Sequence, residues 1–265
     1  MQGERAVRLS VIILTKNEIR NIKDCMASVK DIADEIIVMD NGSTDGTPKL
    51  AEELGAKVYH TATPVFGGWG ERRREAQQHC QGEFVLHLDA DERVTEGGRT
   101  EIVEFMEHAA SNAVAMFPRL TYFMGTPVKH CGWYPDYIAR LYRNAYTSYN
   151  EAPVHEHLEI PEGSQIKKFR HPLLHYSYES AEAYFSKQVV YALVTGEKYR
   201  GGGKSAVLCS IPFKALFAFF RTYVLRRGFL DGKAGFIISI GNCAYAIDKA
   251  LAVYFAVHGK KMRRS

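Results

Sequence analysis

The sequence predicts an α/β fold, a mostly parallel sheet flanked by helices, with a C-terminal amphipathic helical segment. Short apolar runs alternate with helical patterns through the first hundred residues. The last of these runs ends in paired carboxylates, and the end of the chain is apolar, basic and helical in spacing. With 265 residues, 46% apolar and 24% charged, the chain suits one large domain with an appended segment, and wholesale disorder is excluded.

In order, residues 9–14 form a continuous apolar run that reads as a strand buried on both faces, too short and too soon polar for a leader. Residues 19–30 have helical spacing and 35–39 a second strand. Asn41-Gly42-Ser43-Thr44-Asp45-Gly46-Thr47 is turn chemistry that leads into a helix over 48–54. Lys57–His60 is a third strand, 70–80 a helix, and 83–88 a fourth strand ending at Asp89. From about residue 113 to 175 the pattern becomes short strands and aromatic loops, and Ser180 caps a helix that runs to about residue 199. These shifts suggest three segments: 1–112 and 113–199 as two halves of one domain, and 200–265 as a tail. Arg200-Gly201-Gly202-Gly203-Lys204-Ser205 has Lys198 where a phosphate-binding loop needs its first glycine, so it reads as a hinge.

Charge is divided unevenly. The net charge of +4 conceals a tail, from Cys209 onward, with ten Lys/Arg against two Asp/Glu, and a slightly acidic body. Phe213, Leu216, Phe217, Phe220 and Val224 recur at helical spacing there, with Lys214 and Arg221 on another face. Residues 234–257 are long enough to span a bilayer but include Asn242, Asp248 and Lys249. This favours helices lying on an anionic membrane surface, with Arg226, Arg227, Lys233, Lys260, Lys261, Arg263 and Arg264 near headgroups. A soluble helical cap or dimer interface is the plainer alternative. Nucleic acid is not an expected partner, because the basic residues cluster with apolar helices and not on a stacking platform. Five scattered cysteines without a C-x-x-C pair exclude a zinc ribbon and a disulfide scaffold and fit a reducing compartment.

Parallel sheets bind ligands at the carboxyl ends of their strands, where Asp40 and Asp89 fall. Asp89-Ala90-Asp91-Glu92 offers carboxylates suited to a hard divalent cation, Mg²⁺ or Mn²⁺, completed by water and phosphate oxygens. A haloacid dehalogenase reading fails because Arg93 stands where Thr or Val is needed. Asp40 can accept from a ribose hydroxyl or a base N–H, beside glycines that let the turn bend.

Taken together, L-S-V-I-I-L-T-K-N-E, I-I-V-M-D-N-G-S-T-D-G-T and G-E-F-V-L-H-L-D-A-D-E resemble the inverting GT-A glycosyltransferases of family 2, over roughly residues 8–95. G-W-Y-P-D, A-R-L-Y-R, A-P-V-H-E-H-L, L-L-H-Y-S and, more loosely, F-R-T-Y-V-L-R-R-G-F-L-D-G-K-A-G-F resemble the lipopolysaccharide core β-1,4-glucosyltransferases. The resemblance implies that Thr15, Asn17, Glu18 and Asp40 hold the uridine and ribose of a UDP-sugar. It implies that Asp89 contacts the ribose or a metal-bound water, that Asp91 ligates the metal, and that His175 ligates it too, a strand histidine hydrogen-bonded in a core being the alternative. Glu156 is the first candidate for the base that deprotonates the acceptor hydroxyl, with His155 and His157 on either side, and Asp136 the second. Trp133 after Gly132 offers a face for a pyranose, or is a core aromatic. Relatives often carry a basic residue followed by Asn before the D-x-D strand. Here Arg72-Arg73-Arg74-Glu75 replaces it, so Arg73 either clamps the pyrophosphate or belongs to a solvated face with Glu71 and Glu75.

The expected activity is metal-dependent transfer of a hexose, glucose from UDP-glucose, to a heptose of lipid-anchored lipopolysaccharide core, by a peripheral enzyme at the cytoplasmic face of the inner membrane. A different acceptor (peptide, other glycan or polyprenyl phosphate) and an inactive nucleotide-sugar-binding module are the alternatives.

Overall fold

A computed structural model describes residues 7–62, 68–151, 156–199 and 210–258. The glycine-rich hinge at 200–205, His155, Cys209 and the basic residues Lys260, Lys261, Arg263 and Arg264 lie outside the described residues.

The chain clusters into two compact units, residues 1–119 with 136–175, and residues 120–135 with 176–265. The expected boundary after residue 112 falls inside the first unit, and that after residue 199 inside the second. The first unit carries most of the sheet. Strands β1 (Leu9–Thr15), β2 (Glu35–Asp40), β3 (Lys57–His60) and β4 (Phe84–Asp89) run parallel in the order β3-β2-β1-β4, with α1 (Ile22–Val29), α2 (Thr47–Glu53) and α3 (Trp69–Gln77) between them. The α/β class is thus the expected one.

The apolar run of β1 works as its continuity implied. Leu9, Val11 and Ile13 pack with Ile22, Cys25, Met26 and Val29 on one face, and Ile12 and Leu14 pack with Ile37, Met39, Val85 and Ala76 on the other. A sheet covered on both sides has no polar face to alternate with.

Beyond β4 the sheet continues mainly with antiparallel neighbours, apart from one parallel pairing of residues 113–116 with 165–168. It adds β5 (Glu92–Val94), β6 (Ala113–Phe123), β7 (Thr126–Pro127), β8 (Asp136–Arg143), β9 (Gln165–Lys168) and β10 (Leu173–Tyr178). β4 pairs with β8, β8 with β6, and β5 with β10. Between β5 and β6 runs α4 (Glu96–His108), which the sequence reading omits; Thr95 caps it by accepting from the Gly98 amide at 3.2 Å. A Cβ at Gly97 would sit 2.3 Å from the His171 ring, so close packing requires glycine there.

The second unit is helical. α5 (Ala181–Glu197) starts at the expected cap, where Ser180 accepts from the Ala183 amide at 3.1 Å, and packs on α7 (Gly232–His258). α6 (Ile211–Phe220) runs into a π-helical turn, Arg221–Leu225, and then a 3-10 turn, Gly228–Asp231. The core of this unit gathers Phe123, Val128, Cys131, Tyr184, Ala234 and Ile238.

Here Trp133 finds its place. Its ring lies 5.6 Å from that of Tyr178 and 6.4 Å from that of Phe123, partly buried against this core. The neighbouring glycine serves this packing too. Gly132 has φ of 79°, and a Cβ there would lie 2.5 Å from Nη1 of Arg226. What approaches that backbone is the Arg226 side chain.

Candidate active site

The parallel strands β1, β2 and β4 deliver Thr15, Asp40 and Asp89 to one edge of the sheet, in register: Thr15 opposite Asp40, and Leu14 opposite Asp89. Two loops leave this edge and are tied to each other. The Asn17 amide donates to Ser43 Oγ at 2.8 Å, and Asn17 Oδ1 accepts from the Thr44 amide at 2.8 Å. The Glu18 amide donates to Thr47 Oγ1 at 2.8 Å and the Ile19 amide to Asp45 at 3.0 Å. Asn17 takes φ of 57°, a conformation asparagine adopts more readily than most residues.

Asp40 organises the second loop. It is 1% exposed and accepts from Thr15 Oγ1 at 3.1 Å and from the amides of Gly42 and Ser43 at 2.9 Å each, and also from the Ser43 hydroxyl. Burial pushes its pKa up, but these hydrogen bonds more than compensate and hold it below the usual carboxylate value. Its oxygens are therefore engaged by its own loop, and the surface that a ligand meets here is backbone shaped by Asp40. Glu18 accepts from Asn21 Nδ2 at 2.9 Å.

At the end of β4 an arginine cluster surrounds the carboxylates. Asp89 takes Arg73 Nη2 on one oxygen at 2.5 Å and Arg140 Nη2 on the other at 2.8 Å. Arg140 also reaches Glu92 at 3.0 Å, and Glu92, fully buried, accepts from the Asp89 amide at 3.0 Å. Burial opposes ionisation of Asp89, yet Arg73 and Arg140, with His175, hold its pKa well below the normal range. The solvated-face reading of Arg72-Arg73-Arg74 is corrected: Arg72 and Arg73 are buried, Arg73 at 3% exposure, and Arg73 lies 5.0 Å above the Tyr149 ring. Arg74 alone reaches outward, to Glu151 at 3.6 Å. Arg73 Nε and Nη1 have no hydrogen-bond partner among the described residues.

Asp91 stands apart from this cluster and meets His175, Nε2 to Oδ2 at 3.3 Å. Antiparallel pairing brings them together, since His175 on β10 is opposite Glu92 on β5. The donor set suits a divalent cation: ligands at adjacent corners of an octahedron with bonds of about 2.1 Å are about 3 Å apart. Among the described residues no group of three or more His, Cys, Asp or Glu could hold a metal. Two protein ligands would then leave the remaining positions to water and phosphate oxygens.

The two candidate bases differ in their surroundings. Asp136 is bound by Arg119, with Nη2 at 2.6 Å and Nε at 3.2 Å. Glu156 lines a cavity of about 950 Å³ together with Arg73, Asp89, Arg140, Tyr149 and His157. The backbone that carries it is braced: the Asn150 amide donates to the His157 carbonyl at 3.0 Å, and Tyr149 bridges to Leu158. The His157 ring bonds Asn150 at 3.1 Å.

Sequence reasoning gave no role to Arg140 or Tyr149 and did not foresee that Glu92 is buried. Arg140 is the extra residue of a bulge, because Ala115 pairs with Leu141 while Met116 pairs with Ala139. Bulges re-aim side chains, and this one turns an arginine toward two carboxylates. An arginine in the middle of an otherwise apolar strand was the available signal.

Residues 10–163 match the model of glycosyl transferase family 2. An uncharacterised glycosyltransferase of Rickettsia conorii is 29% identical over 242 residues, covering 88% of this chain and 85% of its own. The lipopolysaccharide core biosynthesis glycosyltransferase LpsC of Rhizobium meliloti is 26% identical over 257 residues, covering 93% and 92%. Among solved structures, the mannosyltransferase PcManGT of Pyrobaculum calidifontis, determined with GDP-Man and Mn²⁺, aligns with a TM-score of 0.54 at 14% identity, covering 94% of this chain and 88% of its own. The chain belongs to glycosyl transferase family 2: it is a nucleotide-sugar-dependent glycosyltransferase with a GT-A-like fold.

Proposed function

We propose that this family 2 glycosyltransferase is metal-dependent and inverting, and that it moves a hexose, glucose from UDP-glucose, to a heptose of a lipid-anchored lipopolysaccharide core. The observation that carries the reading is the Asp91–His175 pair beside the guanidinium-held Asp89. Asp91 and His175 would hold Mg²⁺ or Mn²⁺. When bound, the cation supplies charge stabilisation for the diphosphate leaving group.

The chain's own residues do the rest. Thr15, Asn17 and Glu18 with the Asp40-shaped loop form the nucleoside seat. Arg73, held on Asp89 and lining the cavity, would contact the diphosphate. Asp89 keeps Arg73 and Arg140 in place and is available to a ribose hydroxyl on its exposed side. Glu156, in the cavity, takes the proton of the acceptor hydroxyl as that oxygen attacks the anomeric carbon, while the bond from that carbon to the diphosphate breaks on the opposite face. Asp136, already paired with Arg119, positions that arginine.

Similarity to LpsC, whose name assigns it to lipopolysaccharide core biosynthesis, supports the acceptor class. Free thiols at Cys25, Cys80, Cys131 and Cys243 support a reducing compartment and hence the cytoplasmic face of the inner membrane.

The test is nucleotide release from a panel of UDP- and GDP-sugars with Mn²⁺ or Mg²⁺, with and without core lipopolysaccharide, for the wild type and Asp91→Ala. The expected outcome is turnover of UDP-glucose that needs both metal and core acceptor and falls on the order of 10³-fold in the variant. Equal rates with and without a chelator would overturn the metal reading. Turnover only with a peptide or polyprenyl phosphate would overturn the acceptor.

A further inference from the structure

The helical hairpin of the second unit is built with its small side chains inward and its large apolar side chains outward. On α6, Ala215 and Ala218 are buried and Thr222 follows them in the π-helical turn, while Phe213 is 76% and Leu216 69% exposed, with Phe217 and Phe220 completing the outer stripe. The inner side packs on α7. The 3-10 turn folds against the start of α7 so closely that a Cβ at Gly235 would fall 1.8 Å from the Gly228 carbonyl oxygen. Asn242 Nδ2 donates to Thr222 Oγ1 at 3.0 Å, and Ser239 Oγ to the Gly235 carbonyl at 2.6 Å. Small residues and polar links inside with phenylalanines outside reverse the pattern of a water-facing helix, and match helices packed in lipid. A contiguous exposed apolar face of this kind marks an interaction surface.

Charge selects the partner. Between residues 211 and 247 the chain carries Lys214, Arg221, Arg226, Arg227 and Lys233 against the single acid Asp231. Asp231 is buried and accepts from the His130 ring at 2.8 Å and the His130 amide at 2.9 Å, so the outward charge is entirely positive. Pairing this face with a second copy of itself would oppose like charges, whereas an anionic lipid surface is complementary to it.

We propose that α6 and the turns that follow it dock in the plane of an anionic bilayer, apolar stripe in the acyl boundary and Lys214 and Arg221 at the headgroups. The fifteen residues from α6 through the π-helical turn reach about 22 Å, short of the ~30 Å hydrocarbon core. The helical stretch Gly228–Val257 has the length and composition of a span, but Ala234, Ile238, Ser239 and Ala250 are buried within this unit and Asp248 and Lys249 interrupt it. This inference stands on the second unit alone and does not depend on which sugar or acceptor the catalytic residues use.

The test is co-sedimentation of the full-length chain with vesicles of phosphatidylcholine, or of phosphatidylcholine with about 30 mol% phosphatidylglycerol, at about 0.1 M and 0.5 M salt. No donor or acceptor is present, so the result is separate from that of the transferase assay. The wild type is expected to bind the anionic vesicles and to weaken at high salt. The double variant Lys214→Gln/Arg221→Gln should bind about 25-fold more weakly, roughly five-fold for each charge removed. Leu216→Ser/Phe217→Ser should not sediment with vesicles, while its circular dichroism melt stays that of the wild type. Equal binding to both vesicle types, or none to either, overturns the proposal. So does a dimer in sedimentation velocity that Leu216→Ser/Phe217→Ser dissolves without any vesicle binding by the wild type, which assigns the face to a second copy.

Discussion

The two units solve opposite problems with opposite materials. In the first, charge is inside: Arg73, Arg140, Glu92 and most of Asp89 are withdrawn from water and satisfied by one another. In the second, the α6–α7 hairpin leaves a stripe of large apolar side chains outside, while Ala215, Ala218 and Thr222 of α6 and its π-helical turn are buried. The comparison teaches that burial alone does not identify a core. Buried ion pairs contribute little net stability and are strongly destabilising when broken, so a unit that carries such a network holds groups at fixed positions for chemistry. A unit that leaves phenylalanines exposed leaves them for a partner.

The sharpest way to break the catalytic half of the comparison is Glu156→Gln. It should lower kcat by about 10²–10⁴-fold with donor KM unchanged, whereas Asp136→Asn, whose carboxylate is already bound to Arg119, should cost less than about ten-fold. Steady-state kinetics with acceptor in excess decides it, and the reverse ranking makes Asp136 the base.

Next in size is Arg140→Ala, which strands Glu92 and half of the Asp89 network. Denaturant unfolding should show a loss of about 3–5 kcal/mol. Smaller is Ala218→Leu, which overpacks the buried side of α6 and should cost about 1–3 kcal/mol. Leu216→Ser, two residues away but facing outward, should change stability by less than about 0.5 kcal/mol. If Leu216→Ser proves the more damaging, the inside-out reading of the hairpin fails.

The last effect is graded by pH. His87 is buried in β4, and burial with the nearby Arg73 and Arg140 depresses its pKa well below 6.5. Tyr142 donates to Gln77, so His87 donates through Nε2 to the Tyr142 oxygen and is held neutral. Above pH 6.5 the folded and unfolded chains both keep it neutral and no stability changes. Below pH 6.5 only the unfolded chain takes the proton, so stability falls as pH falls. The lowered carboxylates Asp40 and Asp89 stabilise the fold above about pH 4, and that contribution is lost as pH drops through their folded values. Thermal melts should therefore stay level from pH 8 to 6.5 and slope downward from 6.5 to 5, and His87→Gln should flatten that lower stretch.

What could be read in advance follows from range. Thr15, Asp40 and Asp89 end strands whose apolar runs are local signals, so their arrival at one sheet edge was legible. His175 reaches Asp91 through a pairing between β5 and β10 that no local pattern encodes, and only the family resemblance pointed to it. Trp133 and Gly132 show the limit of motif reading, since an aromatic after a glycine looks the same whether it faces a sugar or Tyr178. Asp40 was legible as the end of a strand at the sheet edge, but its saturation by Thr15, Gly42 and Ser43 depends on a loop geometry that composition does not give.

The bulge at Arg140 has a consequence for how this strand tolerates change in length. Elsewhere in β8, deleting one residue shifts every side chain beyond it to the opposite face of the sheet, exchanging core for surface. At Arg140 the deletion does the reverse, because it removes the one residue outside the pairing of 136–139 with 116–119 and of 141–142 with 114–115. The strand would become a regular ladder, better paired than before, and the catalytic unit would lose the cation that faces Asp89 and Glu92. An irregular strand is thus the form compatible with the chemistry, and a one-residue contraction that tidies the sheet is the change most able to yield a folded, silent enzyme.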